Sequence, residues 1–288
     1  MEVNRISVIG LGLMGYKIAE LYAKAGYDLT VWNRTKSKAD GLKAKVAESL
    51  SDAVLASDTI IICVLNPDAV HAALDTVKDK SIFKNKTVIN YTAAGPEDVD
   101  KIEEVLKSYG AHYLNGVILV SPDHLAQPDT TFLYSGDEDA FKALKDTFEV
   151  TAGNIKFLST KASVSSTLDL ATLSVFYGAY IGVLNGIALS EAAGVSLEVY
   201  GDIFSAALPG FTALYKDYVI AIQNDDFTPV QTSVSGNLIA TQRIADALAA
   251  IGADSGFAQT IAGLVKKANK KGYGDEELAS VIKVIRSK

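Results

Sequence analysis

Short apolar runs alternate with amphipathic stretches through the first half of the chain. "ISVIG" (6–10) reads as a buried strand, and "LMGYKIAELYAKAG" (13–26) as an amphipathic helix that stops at a glycine. "DLTVW" (28–32), "TIIICVL" (59–65), "KTVINYT" (86–92) and "HYLNGVILV" (112–120) repeat the strand pattern, with helical stretches at 67–77 and 96–110 between them. Pro67 and Pro96 stand where helices begin. Strands alternating with helices predict βαβ units, a parallel sheet and right-handed crossovers. "TTFLYSG" (130–136), "DEDAFKALKDTFEV" (137–150) and "NIKFLS" (154–159) finish this domain, placed at 1–160.

From about residue 160 the period becomes helical throughout, which predicts an all-helical second domain over 161–288. "STKASVSST" (159–167) offers several helix caps, and a long apolar helix follows over about 164–193. Further helices are expected at 197–208, 210–224, 234–252, 255–271 and 275–287. "KKANKK" (266–271) before Gly272 reads as a solvated helix end closed by a glycine. The 21 residues between Asp169 and Glu191 carry no charge, which is long enough to cross a bilayer. Acidic flanks, Ser174, Asn185, two tyrosines and three glycines fit a buried spine better, so no membrane partner is expected. A helical domain of this size has little to cover such a spine, and a second subunit is expected to do so, as a homodimer.

Composition narrows the picture. The chain has 288 residues, 49% hydrophobic, with a formal net charge of -7. That balance, with no basic stripe, argues against a nucleic-acid partner. The single cysteine, Cys63, excludes an intrachain disulfide, and a strand almost at the first residue leaves no room for a leader; a cytoplasmic location is expected. His71, His112 and His124 are scattered, form no metal-ligand spacing and have no evident carboxylate helper, so no metal is expected.

"VIGLGLMG" (8–15) sets Gly10, Gly12 and Gly15 in G-x-G-x-x-G spacing between a strand and a helix. Gly10 allows the tight turn, Gly12 lets a pyrophosphate approach the backbone, and Gly15 lets helix and strand pack closely. The helix start at Leu13 and Met14 supplies free N–H groups for the anion. An NAD site favours an acid after the second strand. Here "WNRTKSK" (32–38) brings Asn33, Arg34, Thr35 and Lys38 and no carboxylate, which suits a 2′-phosphate, so the expected cofactor is NADPH. Val64, Leu65 and Thr92 close later strands and are expected along the same edge.

Asp169, near the start of the long helix, is either a first-turn acid favoured by the dipole or a functional carboxylate. Tyr177, eight residues on, is either a core tyrosine or its companion. About 12 Å separates them along the axis, on neighbouring faces.

"GLGLMG" with "WNRT" resembles the NADP-dependent branch of the β-hydroxyacid dehydrogenase superfamily, and "LDLATLSVFYGAYIGVLNGIALSEAAGV" (168–195) resembles imine reductases and reductive aminases. The resemblance spans nearly the whole chain. It implies an N-terminal Rossmann domain with a doubly wound parallel sheet, a long interdomain helix, a C-terminal helical dimerisation domain, and hydride transfer from NADPH to the C=N bond of a small-molecule imine, with reductive amination of a carbonyl by an amine left open. In hydroxyacid-reducing relatives a lysine holds the position of Asp169; in imine reductases it is commonly Asp or Tyr, and Tyr177 matches a residue implicated in the aminase branch. The serine-glycine-glycine stretch that binds a substrate carboxylate in the hydroxyacid branch is replaced by "NGVILVSP" (115–122). Ala93 stands where some reductive aminases have Asn. "PGFTALY" (209–215) and "QTSVSGN" (231–237) are candidates to complete a partner subunit's pocket. The competing expectations are a β-hydroxyacid dehydrogenase and a silent NADPH-binding protein.

Overall fold

Ile6, Val8 and Ile9 make β1 (Arg5–Ile9) apolar on both faces, as a strand must be when it is covered from both sides. The computed structural model, which describes residues 5–286, sets β1 inside an eight-stranded sheet of order β3-β2-β1-β4-β5-β6-β7-β8. The other strands are β2 (Asp28–Trp32), β3 (Lys45–Val46), β4 (Thr59–Ile62), β5 (Thr87–Asn90), β6 (His112–Ile118), β7 (Thr131–Gly136) and β8 (Asn154–Ser159). The order reverses beside β1, so the crevice at the carboxyl ends of β1 and β4 is the topological switch point.

Alternate residues divide the core. Ile6 and Val8 join Ile61, Ile89 and Tyr22 on one face, where α1 (Leu13–Lys24) packs. Ile9 joins Ile60, Ile62 and Val88 on the other, under α2 (Leu50–Ala56), α3 (Pro67–Asp75) and α4 (Pro96–Ser108). Ser7 is fully buried in β1, and its hydroxyl donates to the Ala53 carbonyl at 2.5 Å and meets Ser57 Oγ at 2.7 Å. Those bonds satisfy a polar group that would otherwise cost about 1–3 kcal/mol.

The sheet departs from the expected all-parallel arrangement in one pair: β6 and β7 run antiparallel. The reason is the connection. Residues 119–130 join them with only a short 3₁₀ turn (Pro122–His124), and no helix is there to carry the chain back across the sheet as a parallel pair needs. β3, two residues long, was not expected from the pattern; strands 59–65, 86–92 and 112–120 are shorter than their apolar runs because their last residues turn along the sheet edge. α5 (Glu138–Ala143) and α6 (Lys145–Phe148) precede β8.

α7 (Ser163–Ala192) follows, and the chain divides into two units within it, Met1–Ser174 and Val175–Lys288. The second unit adds α8 (Leu197–Asn224), α9 (Val234–Ala250), α10 (Gly256–Ala268) and α11 (Ile282–Ile285). α8 is one helix where two were expected, and it runs through Pro209. α7 and α8 approach closely at Gly186, where a Cβ would lie 2.1 Å from the Tyr200 hydroxyl. The lysine-rich run does end at a left-handed glycine, Gly272 (φ 92°), but through a π-helical turn over Asn269–Tyr273. The expected last helix is a 3₁₀ turn (Leu278–Val281) and then α11; residue 287 of that expectation lies outside the described residues. Glu277, 5% exposed, holds the loop before α9: Oε2 accepts the N–H groups of Val230 (2.8 Å) and Gln231 (3.2 Å), and Oε1 that of Leu278 (2.9 Å).

Candidate active site

The glycine turn between β1 and α1 has three different reasons for its three glycines. Gly10 has φ 94°, and a Cβ there would meet the Cys63 carbonyl oxygen at 2.3 Å. At Gly15 a Cβ would lie 2.1 Å from the Gly10 carbonyl oxygen, so helix and turn pack backbone to backbone. Gly12, the N-cap of α1, has nothing within 4 Å of that position. The protein's own packing does not require a glycine at Gly12. The space a side chain would take is left open at a helix start that carries no acid in its first turn. An anion fits there. Leu13, at the first helical position, is 86% exposed, while Met14 is partly buried against the core.

The end of β2 is tied to this turn. Asn33 Oδ1 accepts the Leu11 N–H at 3.0 Å, and Asn33 Nδ2 donates to the Thr35 carbonyl at 2.9 Å. Asn33 therefore fixes the loop, and Arg34, Thr35 and Lys38 stand exposed on it. Lys36 is committed to Glu48, whereas Arg34 and Lys38 have no ion pair among the described residues. Two uncommitted cations beside an anion-ready helix start match a cofactor with an extra phosphate.

Further along the edge, Val64 and Leu65 follow β4, and Leu65 is 87% exposed. Thr92 is buried, and its hydroxyl accepts the Val64 N–H at 3.2 Å. Its side chain thus shapes the loop after β4 from within. Cys63 packs against the core beneath that loop, and burial pushes its thiol up to about 11.

Asp169 stands on α7, which begins at Ser163 and has no acid in its first turn. It therefore lies past the orphan N–H groups, beyond the reach of a capping or first-turn dipole role. It is half-buried, and desolvation alone holds its carboxyl above the ordinary aspartate range. Tyr177 lies eight residues further along α7, 59% exposed, with its ring edge-on to Phe176 at 5.2 Å. The candidate residues thus form two groups within the first unit, the cofactor edge and Asp169, with Tyr177 on the continuation of α7 in the second.

Sequence reasoning missed four polar residues around the start of α7: Asn90, Asn115, Ser135 and Ser165 are all buried. The signal was present, since an Asn inside an apolar strand demands a partner. His112 and Asp137 pair at 2.6 Å (Nδ1···Oδ2), so this histidine does have a carboxylate neighbour, at an exposed strand start away from the glycine turn.

Comparison with known proteins agrees with this layout. Residues 5–159 match the NAD binding domain of 6-phosphogluconate dehydrogenase, and residues 162–287 the C-terminal domain of the NADPH-dependent reductive aminase-like family. An NADPH-dependent reductive aminase of Aspergillus oryzae is 31% identical over 98% of this chain and 97% of its own. An imine reductase from Myxococcus stipitatus in complex with NADP+ superposes with a TM-score of 0.93 at 26% identity, covering 98% of this chain and 100% of that one. A reductive aminase from Aspergillus terreus, solved with NADPH4, cyclohexanone and allyl amine, gives 0.91 at 28% identity over 99% of this chain and 100% of that one. With its matches running through both units, the chain belongs to the imine reductase and reductive aminase family of NADPH-dependent oxidoreductases.

Proposed function

We propose that this protein reduces the C=N bond of a small-molecule imine or iminium to an amine, using NADPH. The observation that carries this reading is Asp169: a partly desolvated carboxylate on α7, past the first turn, with no cation beside it among the described residues. Bound NADPH supplies the hydride. The N–H groups at the start of α1 and the open approach at Gly12 hold the pyrophosphate, and Arg34, Lys38 and Thr35 hold the 2′-phosphate. Val64 and the exposed Leu65 offer apolar contact along the same edge.

Charge decides between substrates. Hydride arriving at a ketone builds negative charge on oxygen, which a cationic donor stabilises. Hydride arriving at an iminium removes positive charge from nitrogen. A carboxylate keeps the substrate in that reactive protonated form, by pairing with the iminium or by holding at its oxygen the proton that activates the imine. Its raised pKa brings the proton-holding form closer to neutral pH. Tyr177 is the second proposed substrate-facing group. Ala93 stands where some reductive aminases carry Asn, so a preformed imine and a carbonyl plus an amine are compared as substrates.

The reading includes a homodimer with shared active sites. α8 has no buried residue in the single chain, and Val175, Phe176 and Tyr180 of α7 are exposed together with Ile203, Val219 and Ile220 of α8. Apolar faces of this extent call for a partner surface. α7 is long and apolar enough to cross a bilayer by length and composition, yet its start is fixed by buried hydrogen bonds to the sheet, and a second copy is the proposed cover. Segments 209–215 and 231–237 are the proposed contributions across that interface.

The test is NADPH consumption with a cyclic imine, set against a panel of hydroxy and keto acids. Imine turnover at least about 100-fold above that of the acids is expected, on the scale that one transition-state charge contact is worth. Turnover of the acids alone would overturn the reading, as would tight NADPH binding with no turnover of any imine.

A further inference from the structure

Six buried polar side chains join the cofactor edge to the start of α7. The Val64 N–H donates to Thr92 Oγ1 (3.2 Å), and the Thr92 N–H donates to Asn90 Oδ1 (3.1 Å). Asn90 Nδ2 donates to the Tyr113 hydroxyl (3.1 Å), which donates to Asn115 Oδ1 (3.3 Å). Asn115 Nδ2 donates to Ser165 Oγ (2.9 Å), and Ser165 Oγ lies 2.6 Å from Ser135 Oγ. Ser135 ends the run at the helix itself: its hydroxyl donates to the Ala162 carbonyl (2.6 Å) and accepts the Ser165 N–H (3.0 Å). Ser166 adds a bond from its hydroxyl to the Ala94 carbonyl, in the loop after β5.

None of the six is more than 4% exposed. An apolar core of the same shape would stabilise the fold at least as well, since a buried polar run must satisfy every member merely to break even. What it does provide is direction: each bond fixes an angle that apolar packing leaves loose. Ser135 acts from another strand as the cap of α7, binding an N–H and the preceding carbonyl. Ser165 is four residues, about one turn, before Asp169, so rotation of the helix start about its axis carries that carboxylate with it.

We propose that Ser165, Ser135 and Asn115 are positioning residues, and that the buried run from Thr92 to Ser135 fixes the rotation of α7 so that the Asp169 carboxylate is aimed relative to the strand edge at Val64. This rests on the imine-reducing role assigned to Asp169. Sequence flags Asn115 as a polar residue in an apolar strand but does not pair it with Ser135 and Ser165, which come from another strand and a helix.

The experiment is a double-mutant cycle. Ser165→Ala and Ser135→Ala are made singly and on Asp169→Asn, and the single-turnover rate with a cyclic imine is measured beside the NADPH dissociation constant. Each serine variant alone should slow reduction about 10–100-fold, the cost of a misplacement near 1 Å, and leave NADPH affinity within about twofold. On Asp169→Asn the same changes should cost less than about twofold, because the group they aim is already gone. Amide exchange at residues 165–169 should quicken in both serine variants while β5 stays protected. Should Ser165→Ala not fold, the cycle on Ser135→Ala and on Ser166→Ala decides, with the same non-additivity expected. Equal costs in both backgrounds, serine variants at the wild-type rate, or unchanged exchange at 165–169 would overturn the proposal. If Asp169→Asn itself reduced imines at the wild-type rate, the role of Asp169 would fall first and the positioning proposal with it; a slow Asp169→Asn onto which the serine costs multiply removes the positioning alone.

Discussion

Asp169 is held at a thermodynamic disadvantage. Its pKa is raised in the folded state by desolvation, so at any pH above the ordinary aspartate value ionisation opposes folding. Asp169→Asn should therefore keep or slightly raise the melting temperature at pH 7, and the difference should vanish as pH falls toward the ordinary aspartate pKa of about 4. A drop in melting temperature at pH 7 would mark the carboxylate as a structural group. The glycine turn supports a second comparison between single residues. Gly12→Ala should fold normally and bind NADPH at least about tenfold more weakly, because the added methyl enters only open space; Gly15→Ala should destabilise the fold by about 1–3 kcal/mol, because it meets backbone. Equal melting temperatures for the two would contradict this division. Arg34→Ala removes an uncommitted cation, and a charge-assisted bond is worth about 1.5–3 kcal/mol. The preference for NADPH over NADH, from the ratio of kcat/KM values, should fall about 10–100-fold, and an unchanged ratio would exclude Arg34 from the phosphate site.

Within each unit the elements rest on different physics. α1 and the parallel strands follow from local pattern, whereas the loop before α9 hangs on one carboxylate, Glu277. Burial by itself raises its pKa, but N–H groups of Val230, Leu278, Gln231 and Thr232 outweigh burial and leave it below the ordinary range. A depressed carboxylate stabilises above its unfolded pKa of about 4.3 and loses that contribution as pH falls through the folded value. Glu277→Gln should thus lower the melting temperature at pH 7 and make it less sensitive to acid below pH 4.3; equal acid sensitivity in the two proteins would contradict the assignment. What was legible in the sequence follows the same split. The glycine spacing, the β1–α1 order and the length of α7 are local signals, and they read correctly from residues 5–26 and 163–192. The two-residue β3 forms only by pairing with β2, the β6–β7 direction follows from a connection that carries no crossover helix, and 197–224 is one helix through Pro209. Pro209 lies inside that helix, although a proline there removes a helical N–H and clashes with the preceding turn, at about 3 kcal/mol. In the run Asn90–Asn115–Ser135–Ser165 the sequence marks single polar residues in apolar strands but not their partners, which appear only once the strands are paired.

The whole molecule exposes more apolar surface on α7 and α8 than a solitary chain tolerates, and the proposed homodimer is its expected form in solution. Light scattering coupled to gel filtration should give twice the chain mass of 30.5 kDa. Val219→Asp, on the exposed face of α8, should shift that mass toward the monomer and reduce imine turnover with it, because a shared site needs both copies. A monomeric wild type with full activity would contradict the shared site. The charge of the Asp169 carboxylate on α7 is proposed to separate an imine substrate from a ketone. The most direct measurement is the single-turnover rate of cyclic-imine reduction by Asp169→Asn at saturating NADPH. A fall of about 100-fold or more, with NADPH affinity unchanged, is predicted; a rate equal to that of the wild type would contradict it.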